Sequence, residues 1–164
     1  DLIELMRRTM HDAPGVGLAA PQIGLPVALA VLEDPGASDP DVDDVRERTP
    51  LPFRVLVNPV YEPVGAERVS FYEGCLSVSG WQAVVARYRT VRLTGSDETG
   101  SAIDEIVTGW PARIVQHETD HLAGMLYIDR AELRSLIADE GIGAVLGSEP
   151  SPTTAARVLG FELA

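Results

Sequence analysis

Apolar residues recur at helical spacing at the start of the chain. Leu2, Leu5, Met6 and Met10 lie three or four apart, which predicts an amphipathic helix over residues 1–12, ended by Pro14 and Gly15. A largely apolar, glycine-rich loop follows, GVGLAAPQIG at 15–24, and leads into a strand expected at 27–32. The stretch 33–50, EDPGASDPDVDDVRERTP, has no apolar period and is rich in Asp and Pro, so it reads as an acidic surface loop. Beyond it, short runs rich in Val and Ile predict strands at 54–58, 68–72, 82–87, 90–94 and 102–107, with turn clusters such as GSDETG between them. Helical spacing returns over 111–122, with Pro111 in the first turn and Gly124 at the left-handed stop. A second helical segment is expected over 129–138, before a weakly patterned tail at 141–164.

This order predicts one α+β domain over 1–164, with antiparallel β-sheets packed around a central helix, an N-terminal helix and a C-terminal helix. At 164 residues the chain suits one sizeable core. Its apolar runs fall far short of the roughly 20 residues a membrane span needs. The first ten residues lack the basic start and apolar middle of a signal peptide. Twenty-five acidic residues against 13 basic ones give a net charge of −12, which repels phosphate backbones and argues against nucleic acid as the ligand. With a single cysteine no intrachain disulfide forms, and a reducing compartment is the simpler setting.

The central helix carries the chemistry. In QHETDHLAG, residues 116–124, His117 and His121 are four apart and project from one face, where both imidazoles can reach one metal ion. Glu118 follows the first histidine and can act as general base on a water held by that ion. A catalytic site needs about one more protein ligand. Cys75, in FYEGCLSVSG at 71–80, is the leading candidate, since its thiolate suits zinc or ferrous iron. Asp120 and Asp129 compete for the role, the first from another helix face and the second from beyond Gly124. In the loop 15–24 the glycines suit pairing with an extended peptide, and Gln22, its one polar side chain, could donate to an oxyanion, although the loop alone reads as well as a turn with a solvent-exposed glutamine.

GVGLAAPQIG, EGCLS and QHETDHLAG together resemble the three signature motifs of peptide deformylases, in the family's order, and GWPARIVQHETDHLAGMLYIDR at 109–130 is very similar to family members. The resemblance runs from the first helix to about residue 138. It implies removal of the N-formyl group from formyl-methionine at the start of nascent peptides, with release of formate. It implies Cys75, His117 and His121 as metal ligands and Glu118 as the acid/base, with Gln22 and the Leu76 N–H holding the oxyanion. Val16, Gly17 and Gly74 then align the peptide backbone, and Glu73 pairs with Arg87 behind the cysteine turn. Ferrous iron is the implied native metal, with zinc or nickel as replacements. A cytoplasmic bacterial protein working in transient proximity to the ribosome is implied, an organellar form being the alternative. Neither nucleic-acid binding nor membrane association is expected. Trp110, Arg113 and Ile114 lie seven, four and three residues before His117 on the same stripe. Trp110 and Ile114 are therefore expected either to line an apolar pocket for the methionine side chain, with the stem of Arg113 nearby, or to pack in the ordinary core.

The sequence departs from the family in having less chain before the first helix and a longer, more acidic 33–50 stretch. A basic ribosome-docking tail is not apparent, since Arg157 is the one cation among residues 141–164. Two competing readings are another HExxH peptidase and an inactive peptide-binding homologue. The first usually takes a third His or Glu downstream of the motif. The second would be expected to have lost Glu118, Gln22 or a ligand.

Overall fold

The computed structural model describes residues 1–37, 39–146 and 149–164. Helix α1, Leu2–Asp12, starts where the Asp1 carboxylate accepts the Ile3 N–H, and it buries Met6 and Met10 completely. Those methionines pack with Leu18, Val31 and Val55 against one face of a five-stranded antiparallel sheet. Its strands are β1 (Gly17–Ala19), β2 (Leu29–Asp34), β3 (Leu51–Pro63), β6 (Thr90–Ser96) and β7 (Ala102–Thr108), in that spatial order.

A second antiparallel sheet holds β4 (Arg68–Cys75), β5 (Val78–Tyr88) and β8 (Ala131–Ala138). Between β4 and β5 the register runs evenly from Arg68↔Tyr88 to Gly74↔Gln82, then jumps to Cys75↔Val78. That bulge turns Cys75 out of the regular ladder at the tip of the hairpin. Helix α3, Gly109–Leu122, lies between the sheets, with Ala112, Ile114 and Val115 packed on Leu32, Leu56, Val91 and Leu93 of the larger one. Toward the smaller sheet the buried Gln116 amide imitates a strand: its Nε2 donates to Tyr88 O at 2.8 Å and its Oε1 accepts Tyr88 N–H at 3.1 Å. Antiparallel sheets around a central helix are therefore the observed architecture, and no helix among the described residues is long and apolar enough to cross a membrane.

Two expectations need correction. Residues 131–138 form strand β8 rather than a helix. Paired with β5 (Trp81↔Ala138, Gln82↔Ile137), the segment supplies the Ser135 hydroxyl that accepts the Val84 N–H at 2.7 Å, so tertiary pairing outweighs helical spacing there. The C-terminal helices come later, α4 at Asp139–Leu146 running into the stretch expected to be weakly patterned and α5 at Thr153–Leu159 inside it. Ala155, Ala156 and Phe161 cover Tyr72 and Val84 on the outer face of the smaller sheet. Nor is 33–50 loop throughout. Strand β2 extends to a buried Asp34 held by Arg48, and Asp39 caps a short helix α2, Pro40–Arg46.

Candidate metal centre

Helix α3 and the β4–β5 tip bring Cys75, His117 and His121 together, with one ligand atom from each lying within 4.8 Å of the others. Asp120 is not among them. It turns away to accept from Tyr61, Arg87 and Arg130, while Asp129 accepts the Leu126 N–H. The two imidazole rings are 4.8 Å apart and nearly perpendicular. Each is oriented through Nδ1. His121 donates to the Met125 carbonyl at 3.1 Å, and His117 meets the Glu73 carboxylate at 2.9 Å. Protonated Nδ1 leaves Nε2 of both rings as the lone-pair donor, which is what a metal requires. Cys75 Sγ lies 3.3 Å from His121 Nε2 and accepts the Ser77 N–H at 3.4 Å. A soft thiolate and two fixed imidazoles fit a divalent transition metal well.

The groups polarise one another. Burial pushes the Cys75 thiol up, but contacts with His117, His121 and the Ser77 N–H outweigh it and bring it down to about 5. Burial lowers His117, yet Cys75 and Glu73 raise it to about 10. Burial likewise drives Glu73 up, and Arg87, His117 and Arg113 together hold it well below the ordinary carboxylate range. The Glu73–Arg87 pair is bidentate at 2.9 and 3.0 Å, and Arg113 adds a third cation contact at 2.6 Å. Arg113 thus puts its head on Glu73 and on the Val69 and Val85 carbonyls. Arg87 donates to Asp120 as well, so one buried guanidinium ties the cysteine strand to the ligand helix. The expected Glu73–Arg87 contact is present; Arg113 was expected only as a stem beside the pocket and Asp120 only as a competing ligand, while Arg130 and Gln116 were not singled out. Arg113 stands one turn before His117, which was the available signal.

Glu118 is 4% exposed, and burial, as the largest influence, raises its carboxyl to about 7. Its Oε2 is buried with no hydrogen-bond partner among the described residues. Opposite it stands Gly17, so close that a Cβ there would fall 2.3 Å from Glu118 Oε1. An orphaned carboxylate oxygen in a dry site is costly unless a reactant supplies its partner. Gln22 completes the rim. Its Oε1 accepts the Ala19 N–H at 2.8 Å, so Nε2 faces Ser77 Oγ at 3.1 Å and Cys75 Sγ at 3.7 Å.

Cys75, His117, Glu118 and Gln22 open onto a cleft of about 500 Å³, with His121 set behind its lining. Val16, Gly17, Gln22, Glu73, Gly74, Cys75 and Leu76 line it, together with Trp110, Ile114, His117 and Glu118. Arg87 lies behind this wall, and Ile114 also belongs to the core.

The sequence profile of the polypeptide deformylase family matches residues 1–135. Peptide deformylase 3 of Streptomyces avermitilis is 63% identical over 161 residues, which is 98% of this chain and 71% of that protein. The chain belongs to the peptide deformylase family. This deformylase is also similar to solved structures. One is a peptide deformylase from Synechococcus elongatus in complex with actinonin, with a TM-score of 0.67 and 32% identity, covering 98% of this chain and 72% of that one. Another is a Met-Ala-Ser-bound class I type b peptide deformylase from Acinetobacter baumannii, with a TM-score of 0.67 and 34% identity, covering 76% of both chains. The deformylase reaction, hydrolytic removal of the formyl group from N-formylmethionyl peptides, is accordingly the reaction of this enzyme.

Proposed function

We propose that this deformylase holds one divalent ion through Cys75, His117 and His121 and uses Glu118 to move the proton of hydrolysis. The observation that carries the reading is the convergence of three ligand atoms within 4.8 Å beside a buried carboxylate whose Oε2 has no partner among the described residues. A bound divalent ion supplies Lewis acidity toward water and the formyl carbonyl. Glu118, with its pKa lifted by burial, accepts a proton from the attacking water and returns it to the leaving amine nitrogen, so that formate and a free amine leave. Gln22 Nε2 and the Leu76 N–H donate to the oxygen on which charge develops. Val16, Gly17 and Gly74 pair with the peptide backbone, and Trp110 and Ile114 enclose the methionine side chain. Glu73, gripped by Arg87 and Arg113, keeps the ring of His117 in place.

The thiolate–imidazole donor set supports ferrous iron as native metal, with zinc or nickel able to replace it. Iron in that state and a free thiolate both suit the reducing cytoplasm of a bacterium, where nascent formyl peptides bring the enzyme transiently near the ribosome. The deciding experiment measures formate release from a formyl-Met peptide by anaerobically prepared protein and by Glu118→Ala, with metal content determined in both. Loss of about 10²–10⁴-fold at equal metal content is expected. A variant that keeps its rate within ten-fold would remove Glu118 from the proton path.

A further inference from the structure

Helix α2 ends against the cleft. The guanidinium of its last residue, Arg46, lies 4.9 Å from the Trp110 ring centre and 5.9 Å from that of Phe71. Two more arginines share this wall, Arg48 at 5.8 Å and Arg113 at 5.6 Å from Trp110. The three differ in compensation. Arg113 is paired with Glu73, and Arg48 is bidentate on Asp34 at 2.7 and 2.9 Å. Arg46 has no carboxylate oxygen within 4.0 Å among the described residues, and its one side-chain hydrogen bond there is from Nε to the Pro150 carbonyl at 3.4 Å. Burial and the neighbouring Arg48 charge disfavour its protonated form, offset in part by the Asp43 carboxylate one turn back in α2, which accepts from the Ala37 N–H. The remaining acids of the cleft lie elsewhere: Glu73 is already neutralised, Glu118 is buried, and Asp139 accepts from Gln82 on the β5 side.

A guanidinium over an aromatic ring spends none of its N–H groups on that contact, and with only Nε engaged the two terminal nitrogens of Arg46 are left to meet a carboxylate. The backbone that carries Arg46 is also held in position. The next residue, Glu47, accepts the Trp110 N–H on its backbone carbonyl at 3.2 Å, and its carboxylate is gripped by Arg89. Arg46 is thereby fixed to the first turn of the metal helix, beside the proposed methionine pocket. An extended peptide advances roughly 3.3 Å per residue, so only the residues next to formyl-methionine come within an arginine's reach of this wall.

We propose that Arg46 is a specificity-determining residue that receives an acidic side chain at the second or third residue of the formyl peptide. The inference rests on the reading that the cleft holds a formyl-methionyl peptide. In a chain of net charge −12, which repels acidic peptides at long range, it makes one local exception.

The test compares kcat/KM of the metal-loaded full chain for two pairs of peptide amides: formyl-Met-Glu-Ser against formyl-Met-Gln-Ser, and formyl-Met-Ala-Glu against formyl-Met-Ala-Gln. At low salt the Glu/Gln ratio is expected to reach about five at one of the two positions, as for a partly desolvated charge-assisted contact. It should fall to one or below in Arg46→Gln, survive in part in Arg46→Lys, and shrink in about 0.5 M salt. Each ratio is taken within one preparation, so a loss of folded protein does not alter it. A parent ratio at or below one at both positions, or a ratio that survives Arg46→Gln, overturns the inference. Failure to hydrolyse any of the four peptides, neutral ones included, overturns the reading of the cleft and this inference with it.

Discussion

Gly17 offers a test of how tightly Glu118 must be placed. A Cβ built on Gly17 falls 2.3 Å from Oε1, 2.5 Å from Cδ and 2.7 Å from Cγ of Glu118. Ordinary contact begins about 1 Å further out, so Gly17→Ala demands a displacement of that size. Strand β1 cannot yield easily, because Gly17, Leu18 and Ala19 are paired with Leu32, Val31 and Ala30, and all six are buried. The carboxylate moves instead. Misplacing a reacting group by about 1 Å costs on the order of 10²-fold in rate, or roughly 2.7 kcal/mol of barrier. Stability should fall by less, since about 1–3 kcal/mol of overpacking is partly offset by the lost glycine freedom of the unfolded chain. The assay is formate release coupled to formate oxidation, read as kcat/KM beside metal content. A double-mutant cycle isolates the cause: in a Glu118→Ala background, Gly17→Ala should lower the residual rate by less than about two-fold. Equal losses in both backgrounds, or a single variant within three-fold of the parent, would refute the argument that the glycine exists to make room for the carboxylate.

Three further outcomes follow from the packing. Glu73→Gln leaves Arg113 and His117 without their anion, while Asp120 still compensates Arg87; unfolding in denaturant should show a loss of about 3 kcal/mol, at the low end for a broken buried pair. Chelator competition on the same variant should show metal affinity weakened by about 10–100-fold, and an unchanged midpoint would show that Glu73 does not orient His117. Gly109→Ala forces φ +70 on a residue whose Cβ would lie 2.6 Å from the Glu47 carbonyl oxygen, so a destabilisation of about 1–3 kcal/mol with unchanged m is expected. Finally, the Arg7 hydrogen bond, foremost among several influences, holds Glu33 below its ordinary 4.5. A depressed carboxyl contributes its stability above the unfolded pKa and loses it as pH falls through the folded one. Arg7→Ala should therefore lower Tm slightly at neutral pH, with the gap closing below pH 4.5, and a gap that persists in acid would contradict the pairing.

The convergence of Cys75, His117 and His121 was partly readable in the sequence because it rests on short-range rules. His117 and His121 share a helix face by spacing alone, and Cys75 sits in a glycine-flanked turn. What escaped depends on long-range partners. The segment AELRSLIA has helix formers at helical spacing, and only the approach of Trp81, Gln82 and Val84 from a strand some fifty residues earlier makes it a strand. Helix α2 buries none of its residues, so it leaves no apolar period, although Asp39 and Pro40 carried a cap signal. Asp120 was weighed as a ligand from residue type, and its actual partners Tyr61, Arg87 and Arg130 lie 59, 33 and 10 residues away.

The ion cluster behind the ligands has a consequence for motion. Glu73 comes from β4, Arg87 from β5, Asp120 from α3 and Tyr61 from β3, so a chain of charges and hydrogen bonds stitches both sheets to one helix. Pulling any of these elements loose strands a desolvated charge, which makes partial opening around the site nearly as unfavourable as complete unfolding. Amide protons in α3, β4 and β5 should then exchange with solvent through a single shared opening, whereas α5, resting on the outer sheet face by Ala155, Ala156 and Phe161, has no such anchor and can open earlier.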